Sequence, residues 1–378
     1  MSCQRYHPRP HYNNNNNNIR SGLHPDSSKP VLKSSIAAKM ASPKPRAILG
    51  LMTYGPPTSP DNRVTTIEEF QTHLDAFQKH GYNELDTARI YSNGAQEAFT
   101  AKAGYKERGF KIATKSYPHS PGQHTAANLR RDLETSLAEL GTACVDIFYL
   151  HSADRSVPFT ETLEAANTLY KEGKFKQLGL SNYTAYEVAE IVMLCQYRGW
   201  VKPTIYQGLY NAITRNLETE VIPACRRFGL EVVVFTPLGG GLLTGRYKSL
   251  DDDEQQGRFS NNTFLGPIMR SMYFNESLFK ALDILRLAAE SHQLTMPEVA
   301  LRWLVHHSAL RFAKDGGNDG VIFGISKISQ LDQNIADLQK GPLPEDVVKA
   351  LDAAWVIAKG TSPNPWHTSL EYTYEGHS

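Results

Sequence analysis

No run of about 18 apolar residues occurs in this 378-residue chain, so a membrane-spanning helix is not expected. Cysteine is scarce as well: Cys3, Cys144, Cys195 and Cys225 stand far apart without a CxxC pair, which excludes the spacing of a disulfide framework or a zinc site. The formal net charge is +1, but residues 46–378 hold 33 Lys or Arg against 38 Asp or Glu, and this mildly acidic body argues against a nucleic-acid surface. With 40% hydrophobic residues, the chain is predicted to be soluble and globular, without a metal, membrane or nucleic-acid partner.

Acidic residues are nearly absent from residues 1–45, which contain seven Lys or Arg but only Asp26 as an acid. The same segment includes six consecutive asparagines at 13–18 and has almost no apolar periodicity. We therefore predict a disordered, low-complexity extension over 1–45. Its basic composition loosely fits a mitochondrial transit peptide, but asparagine runs and prolines make a poor amphipathic helix. A solvated tail on a cytoplasmic protein is favoured, with mitochondrial targeting as the alternative.

A Gly-rich G-x-G-x-x-G turn is missing after the first apolar segment, which argues against a doubly wound dinucleotide-binding sheet. Instead, short apolar segments alternate with helix-period segments along residues 46–378. Thr66 is a candidate cap for the first helix and Gly81 a candidate stop. The pattern predicts a single (β/α)8 TIM barrel over 46–378. Its eight expected strands are 46–51, 83–88, 110–115, 145–151, 175–182, 203–208, 231–237 and 320–326.

Polar and ionisable residues recur at the end of the expected strands. In a β/α barrel these ends converge on one mouth, where active sites lie, and a purely structural role would not favour that end repeatedly. The residues at the strand ends are Asp86, Lys115, His151, Ser181, Asn182, Gln207 and Ser326.

Asp86, Tyr91, Lys115 and His151 together could protonate an oxygen that gains negative charge. An ammonium at Lys115 should lower the pKa of the Tyr91 phenol, with Asp86 holding the lysine and a neutral His151 orienting a carbonyl. Each residue also has an ordinary explanation on its own: a cap, a packing aromatic, a solvated charge and a core histidine.

Two further segments are candidates for a functional or structural role. The segment 238–275 after the seventh strand is too long for a simple connection and is predicted to be functional. The helical stretch 345–358 and the tail 359–378 lie beyond the eighth unit and could cover one end of the barrel.

The sequence blocks NELDTARIYSNG, IATKSYP and VDIFYLHSAD resemble the aldo-keto reductase superfamily and match its Asp–Tyr–Lys–His tetrad residue by residue. KFKQLGLSNY, TIYQGLYNAITR, FTPLGGGLLTGRY and GISKISQLDQN extend the similarity, which is closest to the aflatoxin aldehyde reductase subfamily and runs over 46–358. The resemblance implies an NADPH-dependent reductase of aldehydes and dicarbonyls, with Tyr91 as proton donor and a detoxification role. It leaves a homodimer open.

The resemblance also implies which residues hold the cofactor. Ser181, Asn182 and Gln207 would hold the nicotinamide carboxamide, Phe235 would stack on its ring, and Arg258 would meet the 2′-phosphate. The segment expected at the pyrophosphate comprises Thr236, Pro237, Leu238, Gly239, Gly240, Gly241, Leu242, Gly245 and Arg246. Met52 is also expected among the cofactor contacts. The adenosine end is assigned to Ser326, Gln330, Gln333 and Asn334, with a helix cap as the alternative for Gln330.

Substrate contacts are expected from Tyr210, Arg270, Tyr273 and Trp366, although the segment after Arg258 and the tail depart from the subfamily pattern. Two other functions stay open. One is a regulatory NADPH-binding barrel similar to potassium-channel β subunits. The other is a lyase that uses Lys115 as a Schiff-base nucleophile, which an ion pair with Asp86 would disfavour.

Overall fold

The computed structural model describes residues 43–252 and 257–374. The extension predicted over 1–45 lies outside these residues except for its last three. Within the described ranges, no helix combines the length and apolar character that crossing a bilayer requires.

Eight parallel strands close into a barrel in chain order, and pairing of the first strand with the eighth completes the ring. The predicted (β/α)8 barrel is therefore confirmed. The strands are β1 (Arg46–Gly50), β2 (Glu84–Asp86), β3 (Lys111–Ser116), β4 (Val145–Leu150), β5 (Phe175–Ser181), β6 (Pro203–Leu209), β7 (Glu231–Phe235) and β8 (Gly320–Phe323). Each falls on one of the eight predicted segments, and β8 ends three residues before the expected Ser326.

Helices connect the strands around the outside of the barrel. They are α1 (Ile67–Lys79), α2 (Gln96–Lys102), α3 (Ala126–Glu139), α4 (Phe159–Lys171), α5 (Ala185–Arg198), α6 (Val221–Phe228), α7 (Gly266–Tyr273), α8 (Glu276–Ser291), α9 (Met296–His306), α10 (Ile328–Leu338) and α11 (Glu345–Ala358). Short 3₁₀ turns lie at Tyr91–Gly94, Asn216–Glu218, Gly239–Thr244, Ala313–Asp315 and Lys359–Thr361.

Side-chain caps fix where several helices begin. Thr66 accepts a hydrogen bond from the backbone N–H of Glu69, as predicted for the start of α1. At α5, Thr184 and Glu187 form a reciprocal capping box, and Gly199 ends the helix in a left-handed conformation with φ of 66°. Glu187 is fully buried and takes part in a second interaction described below.

The interior of the barrel is filled by apolar side chains from six strands rather than left as a channel. They are Ile48, Ala113, Ile147, Tyr149, Ile205, Val233 and Ile322, and Phe235 packs against them from the upper end of β7. A second, larger apolar layer lies between the strands and the surrounding helices. The floor of the mouth is therefore solid, and polar chemistry is confined to its rim.

Helix α11 covers the outside of the barrel rather than its end. It packs against α8 and is joined to the loop after β6 through Arg215, which donates to Asp352 Oδ1 at 2.7 Å and to the Leu351 carbonyl at 2.9 Å. The expectation that 345–358 covers a barrel end is therefore wrong. The tail that follows α11 does reach the mouth.

Gly179 in β5 makes room for Tyr149. A Cβ at this position would lie 2.3 Å from Tyr149 Cδ1 and 3.0 Å from Ile205 Cγ2. We expect Gly179→Ala to lower the free energy of unfolding by about 1–3 kcal/mol because Tyr149 has no free space into which it can move. Urea denaturation measures this change. Gly341→Ala is the matched control, since no atom lies within 4 Å of its added Cβ; equal losses in both variants would contradict the packing argument.

Candidate active site

Four predicted residues meet at the carboxyl ends of β2, β3 and β4. Asp86 is the last residue of β2, Lys115 is the penultimate residue of β3, and His151 directly follows β4. Tyr91 begins the 3₁₀ turn that follows β2. Because the three strands are neighbours in the barrel, their ends bring these side chains to one side of the mouth.

Lys115 is the centre of the cluster. Its fully buried Nζ donates to Asp86 Oδ2 at 2.7 Å, to the Thr87 carbonyl at 2.7 Å and to the Tyr91 hydroxyl at 3.3 Å. Gln207 Nε2 donates to the other Asp86 oxygen at 2.8 Å. The ammonium therefore has three partners, and the carboxylate is shared between a lysine and an amide.

The turn that carries Tyr91 has unusual backbone geometry. Ser92 and Asn93 are non-glycine residues with φ of 49° and 54°. Ser92 Oγ donates to Asn62 Oδ1 at 2.6 Å, which ties the turn to the loop after β1. Gly55 allows this contact, since a Cβ there would lie 2.4 Å from Ser92 Oγ. Asn62 and Ser92 thus support Tyr91, a role that sequence reasoning missed because no periodic pattern marks it.

The expected decrease in the pKa of Tyr91 is not found. Burial raises the pKa of Tyr91 above its ordinary value, and the Lys115 ammonium offsets that increase only in part. The phenol is therefore protonated at neutral pH. It can donate a proton, and the ammonium 3.3 Å away can stabilise the phenolate left behind.

His151 is neutral, as predicted. Burial lowers its pKa well below the ordinary value, and the Lys115 charge lowers it further. Its ring lies edge-on to Tyr91, with 6.1 Å between ring centroids. Nδ1 of His151 is buried and has no hydrogen-bond partner among the residues that the structure describes.

Lys115 keeps its charge. Burial would lower its pKa, but Asp86 and Tyr91 outweigh burial and raise it above the ordinary value. A Schiff-base nucleophile needs the neutral amine, so this environment disfavours the lyase alternative.

Three amide and hydroxyl side chains adjoin the tetrad. Asn182 Nδ2 donates to the His151 carbonyl at 2.9 Å and to Ser181 Oγ at 3.0 Å. Asn182 has a left-handed backbone with φ of 59°, and so does Thr236 at the end of β7. Ser181, Asn182 and Gln207 are thus brought to the same rim as the tetrad, and Phe235 packs on the barrel floor beside it.

The glycine segment after β7 adopts a conformation that other residues rarely accept. Gly239, Gly240, Gly241 and Gly245 have φ of 60°, 70°, 114° and 75°. A Cβ on Gly240 would lie 2.9 Å from Met269 and 3.2 Å from Phe259. The side chains of Pro237 and Leu242 are buried, Leu238 is partly buried, and Arg246 is exposed.

The candidate adenosine-end residues are partly engaged with their own helix. Gln330 Oε1 accepts from the Ser326 N–H at 2.8 Å and from Ser326 Oγ at 3.1 Å, which is the cap-like arrangement considered as its alternative. Gln333 donates to Asp337 at 2.9 Å, and Asn334 is buried.

Arg258 lies near the tetrad. Its Nη1 is 3.2 Å from Met52 Sδ, and its charge acts on Tyr91. Burial lowers the pKa of Arg258. Met52 and Arg258 thus belong to one corner of the mouth.

Three expected substrate contacts have buried or locally bonded side chains. Tyr210 is fully buried, its hydroxyl donating to Glu218 and accepting from the Ala309 N–H. Arg270 donates to the carbonyls of Asp252 and Leu250 and lies over the Phe274 ring, so it braces the loop. Tyr273 is 1% exposed and packs edge-on against Phe259. The Tyr210 and Arg270 assignments are corrected because local contacts occupy their polar groups. The Tyr273 hydroxyl is buried without a hydrogen-bond partner among the described residues, and its substrate contact stays a prediction. Trp366 lies in the tail and is partly buried.

Two rim residues were missed. The Tyr117 ring lies 5.3 Å from the His151 ring, and the His367 ring from the tail lies 6.0 Å from Tyr117. Tyr117 could have been noticed, since it follows Lys115 by two positions. Nothing local to the tail marks His367.

Comparisons with known proteins identify a family and several relatives that the chain resembles. The model of the Aldo/keto reductase family matches residues 46–356. An aldo-keto reductase of Pseudocercospora fijiensis is 46% identical over 296 residues, covering 77% of this chain and 99% of that protein. Human Aflatoxin B1 aldehyde reductase member 2 is 40% identical, covering 89% of this chain and 98% of the relative. Aldo-keto reductase pigE of Monascus ruber is 39% identical, covering 86% and 99%.

Removing the Lys115 charge should lower the free energy of unfolding. Lys115→Met leaves the Asp86 carboxylate buried without its ammonium, so we expect a loss of about 3–5 kcal/mol in the free energy of unfolding. The double variant Lys115→Met with Asp86→Asn should recover part of this lost stability, because it no longer buries an unpaired carboxylate. The matched control is Lys176→Met, which breaks a more exposed pair with Asp146 and should cost less than about 1 kcal/mol. Similar losses from both lysines in urea denaturation would be inconsistent with a buried, charged Lys115.

His151 should make stability depend on pH. Its pKa is lowered in the folded chain, so below about pH 6.5 the unfolded chain binds the proton first and stability falls with acidification. We expect His151→Gln to lose less stability than the parent between about pH 7 and pH 5. Urea titrations at each pH measure this. The parent–variant difference should stay constant above about pH 7.5, where neither form binds the proton; a difference equally constant down to pH 5 would refute the neutral, buried imidazole.

Proposed function

Because the chain belongs to the aldo/keto reductase family, we propose that it reduces aldehydes and dicarbonyls to alcohols, with NADPH as the hydride source and Tyr91 as the proton donor. The observation that carries the proposal is the Lys115 ammonium, 2.7 Å from Asp86 and 3.3 Å from the Tyr91 hydroxyl at the barrel mouth.

The described residues fit a dinucleotide. The consecutive glycines 239–241 have positive φ and carry no side chains, which allows a phosphate to approach the backbone closely, while the Gly239 and Gly241 N–H groups donate within the turn to the Thr236 and Leu238 carbonyls. A Cβ at Gly240 would crowd Phe259 and Met269. Ser181, Asn182 and Gln207 would hold the nicotinamide end beside Phe235, and the glycine segment with Arg246 and Arg258 would hold the phosphates. When bound, NADPH supplies a hydride to the carbonyl carbon.

The remaining chemistry belongs to side chains of this protein. Tyr91 Oη donates its proton to the carbonyl oxygen, which completes the alcohol and leaves a phenolate. Lys115 stabilises that phenolate as a neighbouring cation, and Asp86 keeps the lysine in position. Neutral His151 can donate a hydrogen bond to the same carbonyl oxygen and orient it beside Tyr91. The phenolate regains its proton from solvent.

The substrate class is inferred from the relatives and from the site. Several relatives are named as aflatoxin B1 aldehyde reductases, and the present site offers two hydrogen-bond donors to one carbonyl oxygen. We propose reactive aldehydes and dicarbonyls as substrates, and detoxification as the role.

Tyr91→Phe tests the proton donor. The ring stays but the transferable proton is lost, so we expect kcat for aldehyde reduction to fall by about 10²–10⁴-fold while NADPH affinity changes little. Initial rates follow NADPH absorbance, and NADPH titration of protein fluorescence gives the affinity. The matched control is Tyr105→Phe, which removes a buried hydroxyl bonded to the Leu140 carbonyl away from the mouth and should retain the parental rate.

Parental rates in Tyr91→Phe would exclude this tyrosine as the donor. If the parent itself binds NADPH but turns over no aldehyde from a broad panel, the reductase proposal fails and a regulatory NADPH-binding barrel becomes the better explanation. Running the panel with NADH as well shows whether the 2′-phosphate is recognised.

A further inference from the structure

The tail that follows α11 returns to the barrel mouth and is held there by one buried side chain. Arg155 lies in the loop after β4, the strand that ends beside His151. Its side chain is only 3% exposed, and that of its partner Glu187 is completely buried. Neither group touches Lys115 in the hydrogen bonds and ion pairs of the described residues, and the chemistry proposed above does not use either of them.

Arg155 and Glu187 form a two-point ion pair. Arg155 Nε donates to Glu187 Oε1 at 2.7 Å, and Nη2 donates to Oε2 at 3.1 Å. Glu187 also belongs to the capping box of α5, the helix that follows Asn182. The pair is therefore fixed to the same loops that carry His151 and Asn182.

The third guanidinium nitrogen of Arg155 donates hydrogen bonds to the tail. Arg155 Nη1 donates to the His367 carbonyl at 2.9 Å, to Thr368 Oγ1 at 3.0 Å and to the Ser369 carbonyl at 3.0 Å. Thr368 has a left-handed backbone, with φ of 63°, so the chain bends around this nitrogen.

Two more contacts join the tail to the same anchor. The Thr373 N–H donates to the Arg155 carbonyl at 2.9 Å, and the Tyr372 hydroxyl donates to Glu187 Oε1 at 2.8 Å. Without the tail, Arg155 Nη1 would lose its three acceptors. A donor left without acceptors beside a buried ion pair raises the free energy of the folded chain. Ion pair and tail position are therefore coupled.

Arg155, paired with Glu187 and hydrogen-bonded to the tail, acts as a clamp that sets the position of His367. Its carbonyl accepts from Arg155, and its ring lies 6.0 Å from Tyr117, which in turn lies 5.3 Å from His151. The Tyr117 ring meets the His367 ring at 62° and the His151 ring at 83°. A row of three rings thus runs from the tail to the residue that orients the carbonyl. Ring edges and faces in such a row favour a flat, unsaturated ligand over a small aliphatic one.

We propose that Arg155 is a positioning residue for the substrate, fixing the tail so that His367 and Tyr117 form a wall that selects aldehydes with a planar, aromatic body. This inference rests on the proposed reductase function. Arg155 acts through the tail, and His367 is the specificity-determining residue on it.

Arg155→Lys tests the clamp, because one ammonium cannot both pair with Glu187 at two points and reach three tail acceptors. With NADPH saturating, we expect KM for benzaldehyde to rise about tenfold with kcat nearly unchanged, and KM for butanal to change by less than about twofold. NADPH affinity should stay at the parental value. Hydrogen–deuterium exchange of residues 363–374 should become faster.

His367→Ala separates the wall from the clamp. It leaves the carbonyl that Arg155 holds, so tail exchange should remain slow, while KM for benzaldehyde rises as in Arg155→Lys. The double variant should show little further increase, since both changes remove the same wall. Tyr372→Phe removes the hydroxyl that contacts Glu187 and Tyr186 but leaves every Arg155 contact in place, and gives a milder variant should Arg155→Lys fold poorly.

Arg226→Lys is the matched control. Arg226 forms a comparable pair with the buried Asp319, at the opposite end of the barrel from the tail, and should leave tail exchange and benzaldehyde selectivity unchanged. Faster tail exchange in Arg155→Lys with unchanged benzaldehyde selectivity would reduce Arg155 to a structural residue and overturn the inference. An active parent with that outcome leaves the reductase proposal intact, whereas a parent that reduces neither aldehyde contradicts both.

Discussion

A buried ammonium is the constraint on which the site depends. Moving a lysine charge out of water costs several kcal/mol unless close, well-oriented partners replace the solvent. Here the partners are the Asp86 carboxylate, the Thr87 carbonyl and the Tyr91 hydroxyl, all from β2 or the turn after it, while Lys115 comes from β3. Correct pairing of β2 with β3 is therefore needed both to satisfy the charge and to assemble the chemistry.

The same charge explains the protonation states around it. Burial and the ammonium together keep His151 neutral, so the imidazole can donate a hydrogen bond without adding a further positive charge to the site. Tyr91 stays protonated because burial disfavours its phenolate more strongly than Lys115 favours it. Sequence reasoning considered the lysine without the desolvation, and so expected the opposite shift. A protonated phenol beside a fixed cation suits a donor that loses its proton only when a carbonyl oxygen gains charge.

How well the sequence predicts the place of a residue depends on whether a periodic strand or helix pattern fixes the direction of its side chain. The strands and the rim positions Asp86, Lys115 and His151 follow from alternating apolar segments, because parallel strands bring their carboxyl ends together whatever the connecting loops do. Tyr210 directly follows β6 and Arg270 lies in the short helix α7, and the direction of each side chain depends on contacts distant in sequence or outside its own element, such as Glu218 for Tyr210 or the Asp252 carbonyl for Arg270. No local pattern encodes those contacts, so a family resemblance alone assigned these residues to the wrong environment.

The proton-donating residues and the wall of Tyr117 and His367 are consequently held in place by different kinds of contact. The proton-donating side uses residues within about 65 positions of one another on adjacent strands, and each position is constrained by barrel geometry. The wall beside His151 depends on Arg155 reaching the tail more than 210 residues later in the chain. Changes in the tail can therefore alter the wall without disturbing Lys115 or Tyr91, provided that Arg155 and Glu187 retain their acceptors and donors. A fold of this kind can keep one reaction while changing the substrates that reach it, because the ion pair that holds the wall is separate from the ion pair that supports the chemistry.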